Sequence, residues 1–331
     1  MIEPQIIAEI GTNHNGNLDT AIKLIDVAVS ANADSVKLQI INTEGLYLPG
    51  IYEFGNYDIR EVRAMRDRYK LLDSDYQNLA NYSLTKNISF SASVFDLKGL
   101  ALLMKFNPPY IKIASTDLNN ISFLRKVAEK GKKIIISTGM SELSEIENTI
   151  NEITKTGFSD LVLMHCVSAY PAKLENMNLG FIGILKSQFG FPVALSDHTQ
   201  SSIAACLALT KEVVFIEKHI TLDVNQHGFD HKYAAEPEVF KQYVYDIKRA
   251  YQALQEPTSK LAEDEQYVKK RARRSIYAAR DILIDEIIQE KDLLIVRPSN
   301  ILTADKCDLV IGKKAKTKIQ QFQPLSLELI Y

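Results

Sequence analysis

The chain has 331 residues, 46% of them hydrophobic and 24% charged, which is ordinary for a globular protein with room for one large domain and a small one. Its 39 basic and 41 acidic residues give a net charge of −2, so no long-range field attracts nucleic acid. Because no apolar run is long enough to cross a bilayer and the N-terminal stretch lacks the blocks of a signal peptide, we expect a cytoplasmic protein without nucleic-acid or membrane partners. Cys166, Cys206 and Cys307 lack metal-type spacing and are expected to be reduced.

Apolar, β-branched runs alternate with segments of helical periodicity along the first 255 residues. The predicted strands span residues 5–10, 35–40, 88–94, 110–115, 133–138, 161–167, 192–197 and 213–221. The predicted helices include 19–32, 73–86, 121–130, 142–156, 201–210 and 236–254. Nearly continuous apolar strands indicate a parallel sheet covered by helices, and eight βα units favour a closed (β/α)8 TIM barrel over an open sheet.

Two segments depart from the βα pattern. Residues 41–72, after the second predicted strand, form a loop of roughly thirty residues that is rich in glycine and aromatic side chains and is expected to cover the substrate. After residue 255 the chain becomes polar, which predicts a linker over 256–270. A small β-rich domain over 271–331 follows, with apolar runs at 275–279, 293–296 and 325–330. Such a small domain buries little core alone and is expected to pack on another surface, in its own subunit or a partner.

Polar residues follow the predicted strands at the end of the barrel that carries the chemistry in TIM-barrel enzymes. A buried lysine is costly unless it meets an anion. Lys37 and Lys112, together with Ser115 and Ser137, therefore predict a phosphate or carboxylate ligand and an anionic small substrate. The alternative is that the lysines are snorkelled or paired with carboxylates of the protein.

Two histidines, His198 and His219, follow neighbouring predicted strands, and Glu217 comes two residues before the second of them. This spacing suits an open site for a weakly held divalent metal such as manganese or magnesium, completed by water and substrate. The alternative is a pair of hydrogen-bonded structural histidines. Cys166 has no activating pattern around it and is interpreted as a buried residue and not a nucleophile.

Glu9 ends the first predicted strand, where a carboxylate could handle a proton, orient a water or pair with a lysine. The residues that follow, 13–16, read Asn-His-Asn-Gly. Gly16 near a helix start fits a turn with an anion contact, although one glycine is a weak signal.

Taken together, these motifs closely resemble the sialic acid synthase (N-acylneuraminate synthase) family over essentially the whole chain. The motifs that carry the resemblance lie at residues 8–16, 36–39, 112–115, 137–140, 165–166, 196–199 and 217–219. Members of this family join phosphoenolpyruvate to an N-acetylated mannosamine-type sugar and release phosphate. Residues 274–279 and 296–300 resemble the C-terminal antifreeze-like (SAF) domain of the family, whose typical domain-swapped homodimer places that domain over the partner's barrel.

The resemblance implies roles for particular residues. His198 and His219 would hold the metal, Mn²⁺ or Mg²⁺, and take part in catalysis with the carboxylate of Glu9. Phosphoenolpyruvate would be held by Lys37, Lys112, Ser115, Ser137 and Ser196. The acceptor sugar would be contacted by Gln39, Asn56, Ser168, Tyr170 and Asp230, and by Arg297 of the partner subunit.

The sequence departs from the family near the predicted sugar pocket. Ser168 stands where asparagine is frequent, residues 91–95 replace a Ser-Thr-Pro-Phe pattern, and Arg273 replaces an aromatic residue of some members. The acceptor is therefore N-acetylmannosamine or, equally, a 6-deoxy diacetamido sugar that yields a legionaminic- or pseudaminic-type acid. Two other functions stay open: a Schiff-base pyruvate aldolase or lyase that uses Lys112 or Lys218, and a non-catalytic carbohydrate-binding barrel.

Overall fold

The computed structural model describes residues 2–48, 58–254 and 260–331, and the chain divides into two compact units, Met1–Gln255 and Glu256–Tyr331. In the described part of the first unit, eight parallel strands close a barrel in sequential order, so the predicted TIM barrel is confirmed. The strands are β1 Gln5–Gly11, β2 Ser35–Ile40, β3 Ser89–Val94, β4 Tyr110–Ile113, β5 Lys133–Ser137, β6 Leu161–Cys166, β7 Val193–Ser196 and β8 Phe215–His219. The predicted bounds differ from these mainly at the carboxyl ends.

Helices surround the barrel, and most of them contribute to the apolar core on the outward side of the strands. They are α1 Leu18–Ser30, α2 Thr43–Leu46, α3 Ile59–Arg68, α4 Asp73–Thr85, α5 Leu97–Met104, α6 Ile121–Ala128, α7 Leu143–Thr154, α8 Gly180–Phe189, α9 Ile203–Ala208 and α10 Pro237–Ala253. The segment 41–72, predicted as a loop, thus contains α2 and α3. The Asp58 side chain caps α3 by accepting a hydrogen bond from the backbone N–H of Arg60, a local signal that the glycine and aromatic content obscured.

The interior of the barrel is built in layers that follow the two-residue period of a strand. An apolar layer fills its lower part and consists of Ile7, Tyr110, Ile135, Val162, Met164, Ala194 and Phe215. Two residues further along most of these strands, on the same inward face, the side chains become polar: Glu9, Lys112, Ser137, Cys166, Ser196 and Glu217. The fold therefore stacks a polar layer directly on an apolar plug, at the carboxyl ends of the strands.

The second unit has its own small core. Helix α11 Glu263–Ala272 lies within and just beyond the stretch interpreted as a linker, and β9 Ser275–Ala278 pairs antiparallel with β10 Leu293–Val296. The apolar run at 325–330 forms no strand. Ile330 makes only an isolated bridge to Ala315, although Leu325 is buried in the core of this unit.

In the described parts of the chain, no helix combines the length and the apolar character that a membrane span requires.

Candidate active site

The polar layer lines a cavity of about 100 Å³ at the carboxyl ends of the barrel strands. A wider mouth of about 920 Å³ adjoins it and shares Gln39, Tyr170 and His219 with it. The cavity brings together most of the predicted site residues, namely Glu9, Lys37, Gln39, Lys112, Ser115, Ser137, Ser168, Tyr170, Ser196, His198, Glu217 and His219, while Asp230 lines the mouth.

One wall of the cavity is a buried ion-pair network around Lys37. Its Nζ lies 2.7 Å from Oε2 of Glu9 and 3.5 Å from Oε2 of Glu217, and it donates to Oγ of Ser93 at 2.8 Å. Burial lowers the pKa of the lysine, but the carboxylates of Glu217 and Glu9 outweigh burial and raise it. The positive charge of Lys37 is therefore balanced by carboxylates of the protein, which is the ion-paired alternative stated for the lysines in the sequence analysis.

The two carboxylates of this network have different environments. Burial raises the pKa of Glu9 to about 7, opposed mainly by Lys37. For Glu217, burial is outweighed by the charges of Lys37 and Lys112 and by the Ser196 hydroxyl, which donates at 2.8 Å, so its pKa is lowered. Two neighbouring carboxyl groups with pKa values shifted in opposite directions can divide proton transfer and charge stabilisation between them.

Lys112 lies in a different setting although it is equally buried, at 2% exposure. Its Nζ donates to Oγ of Ser137 at 2.6 Å and to the carbonyl oxygen of Ile113 at 2.9 Å, and it forms no ion pair with a carboxylate of the described residues. Burial accordingly lowers its pKa. A buried cation with only neutral partners is stabilised by an anionic ligand.

Further donors stand beside Lys112. The backbone N–H of Gly139 donates to Oγ of Ser115 at 3.1 Å, and the hydroxyl of Ser115 lies 3.1 Å from Sγ of the buried Cys166. A Cβ atom on Gly139 would lie 2.5 Å from Oγ of Ser168 and 2.9 Å from Oγ of Ser115. Any residue larger than glycine would displace these hydroxyls. Gly139 therefore allows the backbone to approach the Ser115 and Ser168 hydroxyls closely.

The two imidazoles face each other across the cavity, with ring centroids 5.6 Å apart. Nδ1 of His198 lies 2.8 Å from the carbonyl oxygen of Val167, which only accepts, so Nδ1 carries the proton and Nε2 is unprotonated. Nε2 lies 3.3 Å from Oγ of Ser196, whose own proton is donated to Glu217. Nδ1 of His219 has no hydrogen-bond partner and lies 3.8 Å from Oδ2 of Asp230, which is also unpartnered. Burial is the main cause that lowers both pKa values, to about 4 for His219.

Neutral rings with open lone pairs fit a divalent cation, since imidazole must be neutral to bind a metal. Among the described residues, no group of three or more histidine, cysteine, aspartate or glutamate side chains has a metal-binding arrangement. The histidine pair therefore fits an open site that solvent or substrate completes, and not a closed structural site.

Two tyrosines cover the imidazole pair. The ring centroid of Tyr170 lies 4.4 Å from that of His198 and 4.7 Å from that of Tyr233, and Tyr233 lies 5.2 Å from His219. The Tyr233 hydroxyl also donates to Asp230. Tyr233 was missed in the sequence because it belongs to no strand, and its proximity to Asp230 in the chain is the only signal that could have found it.

Several predicted residues lie elsewhere. Lys218, named as a candidate Schiff-base lysine, turns outward to Asp197, at 3.5 Å, and to the ring of Tyr243, at 5.0 Å, because it alternates with the inward Glu217 and His219. His165 also points outward and contacts the Met177 carbonyl oxygen at 2.7 Å. This placement of Lys218 corrects its assignment to the site and removes it as a Schiff-base candidate.

Two further predicted residues cannot be placed in the cavity. Asn56 lies outside the described residues. Arg297 is exposed in the second unit, directly after β10. The predicted sugar contacts of these residues stay predictions.

Comparison with known proteins agrees with this geometry. The sequence profile of the NeuB family matches residues 24–259, and that of the SAF domain matches residues 273–330. An N,N'-diacetyllegionaminic acid synthase from Campylobacter jejuni is 35% identical over 94% of this chain and 95% of its own length. A pseudaminic acid synthase from the same species is 33% identical over 95% and 93%. The crystal structure of an N-acetylneuraminic acid synthetase from Leptospira borgpetersenii, 34% identical, superposes with a TM-score of 0.71 over 80% of this chain and 90% of its own. The chain belongs to the NeuB family and carries a C-terminal SAF domain.

Proposed function

We propose that the protein is a nonulosonic acid synthase, a transferase that condenses phosphoenolpyruvate with an N-acylated mannosamine-type aldose and water and releases phosphate. The names of its relatives support this function. The structural observation that carries it is Lys112, a buried cation with only neutral partners, set in the same cavity as two neutral imidazoles. One side of the cavity thus suits an anion and the other suits a polarised carbonyl oxygen.

In this proposal the phosphate of phosphoenolpyruvate binds at Lys112, Ser115 and Ser137, because charged donors and hydroxyls together match its oxygens. His198 and His219 would hold a divalent metal, Mn²⁺ or Mg²⁺, which when bound supplies Lewis-acid polarisation of the acceptor's aldehyde oxygen. The neutral form of both rings supports this assignment.

Bond formation begins when the enol carbon of phosphoenolpyruvate attacks the open-chain aldehyde carbon. Positive charge then develops at the carbon that bears the phosphate, and the ionised Glu217 supplies negative charge to the same cavity. A water adds to that carbon and gives one proton to the ionised Glu9, which passes it to the oxygen of the former aldehyde. The C–O bond to phosphate then breaks, the remaining hydroxyl proton leaves with the phosphate, and the products are inorganic phosphate and a 2-keto acid.

The acceptor sugar is placed at the mouth, where Gln39, Tyr170 and Asp230 present polar groups and Ser168 lies on the wall of the deeper cavity. The similarity to both legionaminic and pseudaminic acid synthases supports a diacetamido sugar alongside N-acetylmannosamine as a candidate. We also propose that the protein is a homodimer in which Arg297 of the partner subunit contacts the acceptor, and sedimentation analysis tests the dimer. The proposed location is the cytoplasm.

The experiment is a phosphate-release assay with phosphoenolpyruvate, Mn²⁺ and a panel of N-acylated aminosugars, with the product identified by mass spectrometry. We expect phosphate release that depends on the sugar and is lost on chelation. Inactivation by borohydride in the presence of pyruvate, without sugar-dependent phosphate release, would instead support the Schiff-base function of Lys112.

A further inference from the structure

A small second cavity lies beside the mouth and has no role in the chemistry described above. The centre of a water-sized group has about 10 Å³ available in it, which is room for about one such group. Its polar lining includes Thr12, His14, Arg66, Tyr69, Lys70 and Tyr76, and it shares Gln39, Ile41, Arg66 and Phe229 with the mouth. We call it the side cavity.

His14 presents an unpaired donor there. The backbone N–H of Gly16 donates to its Nδ1 at 3.0 Å, so Nδ1 is unprotonated and the ring proton is on Nε2. The side chain is 1% exposed, and Nε2 has no hydrogen-bond partner. Burial and the nearby His231 lower the pKa of His14 to about 4, so the ring is neutral at pH 7.

Arg66 presents a second unpaired donor. It projects from α3, donates from Nη1 to Oγ1 of Thr12 at 3.1 Å, and lies with its guanidinium carbon 3.6 Å from the ring centroid of Phe229. These contacts hold the guanidinium in place, yet its Nε is buried without a partner. Buried donors without acceptors are rare in folded proteins because their desolvation is not compensated, and two in one cavity indicate an acceptor ligand.

The size and donors of the side cavity limit what enters it. The side cavity has room for about one water-sized group, so a single small polar group fills it. Both unpaired groups are donors, so the small group must accept hydrogen bonds. Gln39 connects the side cavity to the chemistry, since it lines all three spaces and donates to Glu9 at 3.1 Å. A sugar whose aldehyde lies at the imidazole pair can therefore extend past Gln39 towards Arg66.

We infer that the side cavity receives the carbonyl oxygen of an acylamino substituent of the acceptor, with Nε2 of His14 and Nε of Arg66 as its donors. The inference rests on the proposed function and adds two residues that select for acylated sugars. A buried water that stays in the side cavity when the sugar binds is the competing occupant.

Arg66→Met and His14→Asn test the inference. Methionine keeps the length of the side chain and removes its donors. Asparagine keeps an acceptor for the Gly16 N–H and removes the outer donor. The matched control is Arg63→Met, which makes the same change on the same helix at a residue that lines neither the mouth nor the side cavity. Thermal unfolding of each variant is measured in parallel.

Binding is measured by calorimetry with phosphoenolpyruvate present, for an acylated acceptor and for analogues in which one acylamino group at a time is replaced by hydroxyl. We expect both site variants to weaken binding of the acylated sugar 10- to 100-fold and to leave the affinity for phosphoenolpyruvate within about twofold. For the analogue that lacks the acylamino group bound in the side cavity, the site variants should bind as tightly as the wild type. Arg63→Met should have the affinity of the wild type for every sugar.

The inference would be overturned if the variants lost the same affinity for every analogue, or if Arg66→Met lost no affinity for the acylated sugar. His14 and Arg66 would then have a structural role, or the side cavity would keep its water. Because binding is measured without turnover, this outcome is separate from failure of the proposed function, which would appear as wild-type protein that releases no phosphate with any acceptor.

Discussion

Replacing each of the two buried lysines by methionine should affect stability to very different extents. Lys37 is bound by two carboxylates, whereas Lys112 has only a hydroxyl and a backbone carbonyl oxygen as partners. Lys37→Met leaves Glu9 and Glu217 buried without their cation, which costs about 3–5 kcal/mol. Lys112→Met removes a buried charge that no carboxylate contacts, but also one of the charges that keep Glu217 ionised, so we expect the free energy of unfolding to change by less than about 2 kcal/mol.

The same Lys112→Met change should remove charged hydrogen bonds to the phosphate of phosphoenolpyruvate. Such bonds contribute about 1.5–3 kcal/mol, so the dissociation constant for phosphoenolpyruvate should rise roughly 10- to 150-fold. Urea unfolding at pH 7 measures the stability of both variants, and isothermal titration calorimetry measures the affinity of Lys112→Met. A loss of stability in Lys112→Met as large as that in Lys37→Met, or unchanged affinity, would refute the assignment of Lys112 to an anion site.

Three further predictions concern other parts of the site. Gly139→Ala places a methyl group 2.9 Å from Oγ of Ser115, and displacing such donors by about 1 Å should lower kcat/KM for phosphoenolpyruvate roughly 100-fold. Gly183→Ala, in open space on α8, should leave it unchanged, and equal kcat/KM values for the two variants would contradict the prediction. His198→Gln should weaken Mn²⁺ binding at least tenfold, measured by the electron paramagnetic resonance signal of the free ion, and an unchanged affinity would remove His198 from the metal site. His14 has its pKa lowered from 6.5 to about 4, so between these values its side chain binds a proton in the unfolded chain but not in the folded one. His14 alone should therefore lower the free energy of unfolding by about 3 kcal/mol as pH decreases through this window, and His14→Asn should show a correspondingly shallower decrease than the wild type in urea titrations.

The barrel and the position of its polar layer could be predicted from the sequence because both follow from strand periodicity. Eight apolar runs gave the strand count, and the strand ends gave the residues that meet in the cavity. Lys218 was a wrong candidate for the Schiff-base lysine, because a position near the strand end does not show to which side of the strand a side chain points. Counting in twos from the inward Phe215 would have selected Glu217 and His219 and excluded Lys218.

Other parts of the site left no periodic signal. Tyr233 and Phe229 belong to the segment after β8, and Arg66 lies on a helix within a stretch that looked like a loop. Gly139 could not be singled out, because the need for glycine comes from three side chains on two other segments of the chain. Such residues are brought to the site by tertiary packing, which a single sequence does not display.

The proposed function is tested most directly by phosphoenolpyruvate that carries ¹⁸O in the bridging position between carbon and phosphorus. The labelled compound is incubated with the protein, Mn²⁺ and an N-acylated aminosugar, and the released phosphate is analysed by mass spectrometry. Attack by the enol carbon followed by C–O cleavage predicts that the phosphate retains the label and that one 2-keto acid forms for each phosphate. Unlabelled phosphate, or phosphate released equally well without the sugar, would contradict the proposal.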